Sequence, residues 1–137
     1  MMVYLDTNVL IYASVNQSTD KKKQAIDLIE RLIDDEALML STLVLQEFVF
    51  TLAKLKIGSN IIKKDSDFYF DFVNIEYDYS TLREAVKSCC VSDNCKNIND
   101  IIHIHLAEKS KCKKLITFDA DFKKLMPLSK LKIEILS

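Results

Sequence analysis

Five carboxylates stand where an acid could do chemistry: Asp6, Glu47, Asp100, Asp119 and Asp121. Asp6 closes the apolar run Val3-Tyr4-Leu5, and Thr7 and Asn8 follow before apolar residues resume. This reads as a buried strand whose carboxyl end presents an acid, with a helix opening at once. A lone carboxylate there is costly to desolvate and needs a donor cluster, a cation or a metal beside it. Asp119 repeats the pattern at the end of a second apolar run, with Asp121 two residues on. Glu47 falls in the second turn of a predicted helix. Asp100 falls in the first turn of another, where the helix dipole favours a negative charge. If the strands are neighbours, the acids converge on one edge of a sheet, where like charges repel and raise one another's pKa. A divalent cation resolves that conflict. All-oxygen donors suit Mg²⁺ or Mn²⁺ rather than zinc. Such a site can lower the pKa of a bound water and neutralise charge on a phosphoryl group. Taken singly, each acid also has a structural explanation: Asp6, Asp119 and Asp121 as helix caps, Asp100 as a dipole-favoured acid, Glu47 as an exposed helix acid.

The elements that must position these acids follow from periodicity and capping residues. Strands are predicted over 1–5, 37–40, 73–77, 114–118 and 132–136. Helices are predicted over 7–14, from a Ser18 or Thr19 cap to 34, and from a Ser41 or Thr42 cap to 56. Gly58 is expected to supply the left-handed stop of that third helix. Further helices span 60–72, then run from Ser80 or Thr81 to 91, with Thr81 and Glu84 at capping-box spacing. After a polar loop over 92–97, a helix capped by Asn97 or Asn99 runs from 98 to 109. A short helix after Asp119 ends near 125, before Pro127. Strands alternating with helices imply a three-layer α/β/α sandwich around a mostly parallel sheet. Ligands of such sheets bind beyond the carboxyl ends of the strands, where Asp6 and Asp119 stand.

The length of 137 residues suits one domain, residues 1–137. With one glycine and one proline, the chain is too poor in turn-formers for a many-turned β-sandwich. Its 49% hydrophobic content rules out a disordered chain, and no apolar run reaches the roughly 20 residues of a membrane helix. The N-terminus lacks the basic start of a signal peptide, so a cytoplasmic protein is expected. A net charge of -1 argues against broad, non-specific nucleic-acid binding, yet allows a local basic rim. Lys21, Lys22 and Lys23 read as a solvated helix face. Phe68, Tyr69, Phe70, Phe72, Tyr77 and Tyr79 read as core or interface packing residues rather than base-stacking platforms. Cys89, Cys90, Cys95 and Cys112 contain no C-x-x-C pair and read as reduced thiols, mostly packed. His103 and His105 read as hydrogen-bonded packing residues, with only His103 sharing a helix face with Asp100.

Three segments resemble the PIN-domain nucleases, and specifically the VapC-like toxins of toxin–antitoxin modules. Tyr4-Leu5-Asp6-Thr7-Asn8-Val9-Leu10 is similar to the family's opening motif. Asn99-Asp100-Ile101-Ile102-His103-Ile104-His105-Leu106-Ala107 resembles its acid-bearing helix. Leu115-Ile116-Thr117-Phe118-Asp119-Ala120-Asp121-Phe122 resembles its closing strand end, and Glu47 stands in place of its helical glutamate. The resemblance implies metal ligation by Asp6, Glu47, Asp100 and Asp119, with Asp121 a supporting or alternative ligand. Asn8 would orient Asp6, and Thr117 would support the closing acids. It further implies a Mg²⁺- or Mn²⁺-dependent endoribonuclease in which metal-activated water attacks a phosphodiester. The partners it implies are an RNA substrate, a second copy of the chain in a homodimer and a small antitoxin protein. Lys21, Lys22, Lys23, Lys123 and Lys124 are the candidates to hold an RNA backbone. Two rivals remain at this point: a PIN fold that only binds RNA or protein, and a receiver-like phosphoryl-transfer domain. The second expects a lysine on a late strand and leaves Glu47 and Asp100 unexplained.

Overall fold

Val3–Leu5 form β1, three buried residues at the centre of a five-stranded sheet. The computed structural model describes residues 1–137. After β1 come α1 (Thr7–Ser14), α2 (Thr19–Asp34), β2 (Leu38–Ser41), α3 (Thr42–Lys54), α4 (Ser59–Phe70) and β3 (Val73–Ile75). Then follow α5 (Tyr79–Ser92), a 3₁₀ turn (Cys95–Asn97), α6 (Ile98–Lys109), β4 (Lys114–Thr117), a 3₁₀ segment (Ala120–Leu128) and β5 (Lys132–Ile135). The strand order is β3-β2-β1-β4-β5, and every pairing is parallel. The expected three-layer α/β/α sandwich is the observed one, with a wholly parallel sheet. No helix is long and apolar enough to cross a membrane.

The strand order fixes where the helices lie. From β1 to β3 the chain steps toward one edge, and from β3 it returns across the sheet to β4. Right-handed crossovers in opposite directions put α1–α4 on one face and α5 and α6 on the other. The packing agrees: α1 touches α2 and α3, α3 touches α4, and α5 pairs with α6. The strand order therefore reverses direction between β1 and β4, which opens a crevice beyond their carboxyl ends. Beneath it lies a contiguous core of 34 apolar residues, with Tyr4, Leu5, Leu40, Phe48, Leu106, Leu115, Ile116 and Phe122 wholly buried.

Local structure departs from the sequence reading at three places. Gly58 is not a left-handed stop: its φ is -65°, and it precedes α4 as the cap residue. The left-handed residue that ends α3 is Lys56, at φ 62°, and the Ile57 N–H donates to the Leu52 carbonyl at 3.0 Å. Helix α2 ends the same way at Glu36, α5 at Asp93 and α6 at Lys111, each with positive φ. These are Schellman closures, and the residue after the turn is apolar in three of them: Ala37, Ile57 and Cys112. Helix α5 is capped by Asp78 rather than by Thr81 in a capping box. Asp78 Oδ1 accepts from the Thr81 N–H at 2.9 Å and from its hydroxyl at 2.6 Å. Pro127 lies inside the last 3₁₀ segment rather than after it. That is permitted because the tighter, irregular turn does not require the amide that an α-helix interior does.

A side chain in the left-handed region costs roughly 1 kcal/mol that glycine avoids. Lys56→Gly, at an exposed position, is expected to raise unfolding stability by about 0.5–1 kcal/mol in urea melts. A loss of stability would show that the lysine makes a compensating contact.

Candidate active site at the carboxyl ends of β1 and β4

The β1–β4 register pairs Leu5 with Ile116, so the next residues, Asp6 and Thr117, stand side by side. The Asp6 N–H donates to the Ile116 carbonyl at 3.0 Å and extends the ladder by one rung. Asp6 is 6% exposed, and both carboxylate oxygens are held. Oδ1 accepts from the Thr7 N–H at 2.8 Å, so Asp6 is also the N-cap of α1. Oδ2 accepts from the Thr117 hydroxyl at 2.8 Å and from Asn8 Nδ2 at 3.2 Å. Asn8 in turn donates to Thr117 Oγ1 at 3.0 Å and accepts from the Phe118 N–H at 3.0 Å. Thr117 Oγ1 also accepts from the Asp119 N–H at 3.0 Å. Asn8 and Thr117 thus lock the two strand ends together and aim Asp6. The cap reading and the site reading of Asp6 are both realised, by different oxygens.

Glu47 reaches the same place from α3. Its Oε1 accepts from the Thr7 hydroxyl at 2.7 Å and from His103 Nε2 at 2.6 Å, and its Oε2 accepts from Asn99 Nδ2 at 3.2 Å. His103, 1% exposed, is the pivot of this arrangement. Its Nδ1 lies 2.7 Å from the Tyr4 hydroxyl, which lies 2.7 Å from Ser41 Oγ. Ser41 caps α3 by accepting from the Val44 N–H at 3.1 Å. In its charged form the imidazole donates to both Glu47 and Tyr4, and Tyr4 can donate to Ser41. This chain of bonds ties α6, β1, β2 and α3 to the orientation of one glutamate. The sequence reading of His103 as hydrogen-bonded and packed was right in kind but missed its partner. His105 points elsewhere and bonds Ser88 at 2.9 Å.

Above these groups lies a cleft of about 450 Å³ lined by Asp6, Glu47, Asp100 and Asp119 together with Thr7, Asn8, Asn99 and Tyr12. Four of the five acids singled out in the sequence are therefore brought together. Asp121 is exposed and lines a separate depression with Lys96 and Lys124. Its backbone N–H donates to Asp119 Oδ1 at 2.8 Å, which makes Asp119 the cap of the 3₁₀ segment. Of the lysines, Lys22 bonds Asn16 and Lys23 pairs with Asp27. Lys21 Nζ instead lies 5.0 Å from the ring centre of Tyr12 and 5.6 Å from that of Phe118, at the cleft margin. The packing assigned to the aromatics holds for Tyr69, Phe72 and Tyr77. Phe68 packs against Tyr69 and Phe72 while half exposed, and Phe70 and Tyr79 are exposed on α4 and α5.

The electrostatics are those of crowded acids. Burial pushes the Asp6 carboxyl above the ordinary carboxylate range, against the opposing pull of His103 and of the Thr117 and Thr7 donors. Asp100 is pushed up to about 7, first by burial and then by the charges of Asp6, Asp119 and Glu47, with His103 opposing. Burial would raise Glu47 too, but hydrogen bonds from His103, Thr7 and Asn99 and the imidazole charge hold it below its ordinary value. His103 is raised: burial disfavours its charge, but the bond to Glu47 and the fields of Asp6 and Asp100 prevail. Asp6, Glu47 and His103 each offer a donor atom, all within 4.8 Å of one another. Both ring nitrogens of His103 are engaged, so the free donors are carboxylate oxygens. That set fits a hard divalent cation such as Mg²⁺ or Mn²⁺ and not a nitrogen- or sulfur-seeking ion. The sequence reading missed Thr7, Asn99, Tyr4 and Ser41 as supports of Glu47. The one available signal was the i, i+3 spacing of Asp100 and His103.

The sequence model of the PIN domain family matches residues 3–126. No curated protein matches the chain in sequence. Among solved structures, VapBC2 from Rickettsia felis, bound to a DNA fragment from its promoter, superposes with a TM-score of 0.71 at 18% identity, covering 100% of both chains. VapC20 of Mycobacterium tuberculosis, described as a sarcin-ricin loop cleaving toxin, gives 0.69 at 15% identity over 90% of this chain and 95% of that one. VapBC-5 of the same organism, from the VapBC family of toxin–antitoxin systems, gives 0.64 at 18% identity over 99% and 100%. At these identities the likeness is one of fold.

Asp100 provides a pH test of the crowding. Its folded value of about 7 lies above the ordinary 3.8, so the fold binds this proton more tightly than the unfolded chain does. Its contribution to stability is full below pH 3.8 and is lost as pH rises through about 7. The metal-free protein is expected to lose thermal stability between these limits, and Asp100→Asn to flatten that slope. Equal slopes for the two proteins would mean that Asp100 is not held among charges.

Proposed function

The chain belongs to the PIN domain family, and we propose from that premise that it is a Mg²⁺- or Mn²⁺-dependent endoribonuclease. The observation that carries the reading is the convergence of Asp6, Glu47, Asp100 and Asp119 on one cleft at the switch point of a parallel sheet. Asp6, Glu47, Asp100 and Asp119 would hold the cation. Asp119, not Asp121, takes the closing position in this proposal because Asp119 alone faces the cleft. When bound, such an ion neutralises charge on a phosphoryl group and lowers the pKa of a water beside it.

The chain's own residues do the rest. Thr7, Asn8 and Thr117 fix Asp6, and His103 and Asn99 keep Glu47 ionised and aimed. Tyr12 and Lys21 form an aromatic and cationic margin where a sugar-phosphate backbone could lie. A domain that only binds RNA or protein gains nothing from four crowded carboxylates, whose mutual repulsion disfavours the cation-free state. We further propose that residues 1–137 act as one nuclease domain, in the cytoplasm, as the toxin of a toxin–antitoxin pair. Its partners would be an antitoxin protein and a second copy of the chain. The support for this is likeness of fold to the VapC and VapBC structures.

The test is cleavage of structured RNAs by purified protein with Mn²⁺ or Mg²⁺ against EDTA. Asp6→Asn keeps the shape but removes a negative ligand. It is expected to lower cleavage by more than about a hundredfold, beyond what losing a ligand's hydrogen-bonding partner does. Cleavage at the wild-type rate by this variant would refute the site. Lys21→Ala is expected to raise KM by roughly three- to tenfold and to reduce the salt dependence of RNA binding by about one phosphate contact. An unchanged KM and salt slope would remove Lys21 from the RNA path.

A further inference from the structure

Three thiols meet at the end of α5, and none of them lines the acid cleft. Cys89 and Cys90 lie in the last turn of the helix. Asp93, at φ 57°, ends the helix, and the Asn94 N–H donates to the Cys89 carbonyl at 2.8 Å. The reversal brings Cys95, the first residue of the 3₁₀ turn, back against that last turn. Cys95 Sγ lies 3.3 Å from Cys89 Sγ and 3.7 Å from Cys90 Sγ, and all three sulfurs fall within 4.8 Å of one another. The sequence spacing gave no sign of this, because it is the left-handed turn at Asp93 that closes a five-residue gap. Nor are the cysteines mostly packed: Cys89 and Cys112 are buried, but Cys90 and Cys95 are exposed.

We infer that Cys89, Cys90 and Cys95 form a trithiolate site for a thiophilic cation, Zn²⁺ or Cu⁺, separate from the acid cleft. Metal–sulfur bonds of about 2.3 Å place ligand sulfurs roughly 3.8–4.0 Å apart, so the observed cup needs only small side-chain adjustment. The buried sulfur of Cys89 forms the floor, and the two exposed thiols give an ion access. A redox role fits less well. Activated thiolates sit at helix N-termini or beside excess positive charge. These three sit at a helix C-terminus, where carbonyl oxygens favour a cation. The neighbouring Lys96 and Lys124 are balanced by Asp93 and Asp121. Binding breaks up to three S–H bonds, forms three metal–sulfur bonds and releases the protons to solvent, and no electrons move. The loop it closes leads directly into α6, which carries Asn99, Asp100 and His103. An ion here therefore fixes the start of the helix that supplies the acid cleft.

The experiment uses the reduced, metal-free full chain in excess Mg²⁺, which is present to saturate carboxylate sites. Zn²⁺ and Cu⁺ are titrated separately against chelators that report each ion, and Cd²⁺ is used to read thiolate charge-transfer absorption. The proposal expects one equivalent per chain for the tighter of the two ions and protection of Cys90 and Cys95 from alkylation. It expects at least hundredfold weaker binding in Cys95→Ser and unchanged binding in Asp6→Asn. Cys95 is exposed, so its replacement by serine tests the site without disturbing the core. Equal affinity in Cys95→Ser, binding lost in Asp6→Asn, or alkylation unaffected by the ion would overturn it. So would a Cys89–Cys95 disulfide formed with no metal retained.

Discussion

A carboxylate buried at the end of the central strand is the constraint from which the geometry of this site follows. Asp6 is almost fully withdrawn from water, and an unpaired charge there would cost several kcal/mol. Three donors meet it: one from the first turn of α1, one from Asn8 two residues on, and one from Thr117 on the adjacent strand. The Thr117 bond requires β4 to lie directly beside β1 in the observed register. It therefore ties the acid to the sheet topology, because β4 can reach that position only after a crossover returning from β3.

The second acid is held by longer-range means. Glu47 is oriented by a histidine on α6 whose other ring nitrogen leads through Tyr4 to the residue that caps Glu47's own helix. A closed path through two helices and two strands holds the Glu47 carboxyl below its ordinary value and raises His103, against the burial that opposes both charges. The path leaves Asp100 as the acid with the least help. Its carboxyl is the one pushed to about 7, so the crowding is concentrated on the side chain that a cation would relieve most.

Much of this was legible in the sequence. The strand-then-acid motif at Asp6 and its repeat at Asp119 are local signals, and both acids stand where the motif put them, at the ends of adjacent parallel strands. The alternation of apolar runs with amphipathic stretches gave the element order and the three-layer class. What was hidden depends on distant pairs. Tyr4 reads as one more apolar strand residue, and only the return of α6 across the sheet reveals it as the bridge between Ser41 and His103. Which of Asp119 and Asp121 lines the cleft turns on which way a 3₁₀ segment winds. One helix stop was misread, because Gly58 was expected at the left-handed position that Lys56 takes. Left-handed non-glycine residues also follow the other stops, at Glu36, Asp93 and Lys111. The thiol cluster was hidden because the left-handed turn at Asp93 closes a gap that sequence spacing leaves open.

The central claim is that the four converging acids exist to hold a divalent cation. The most direct measurement is an anomalous-difference map from crystals of the protein soaked in Mn²⁺. The account predicts a peak in the cleft about 2.0–2.2 Å from carboxylate oxygens that include Asp6, with Asp121 outside its coordination sphere. Saturating Mn²⁺ with no peak in the cleft, or a peak held only by Asp121, would contradict it.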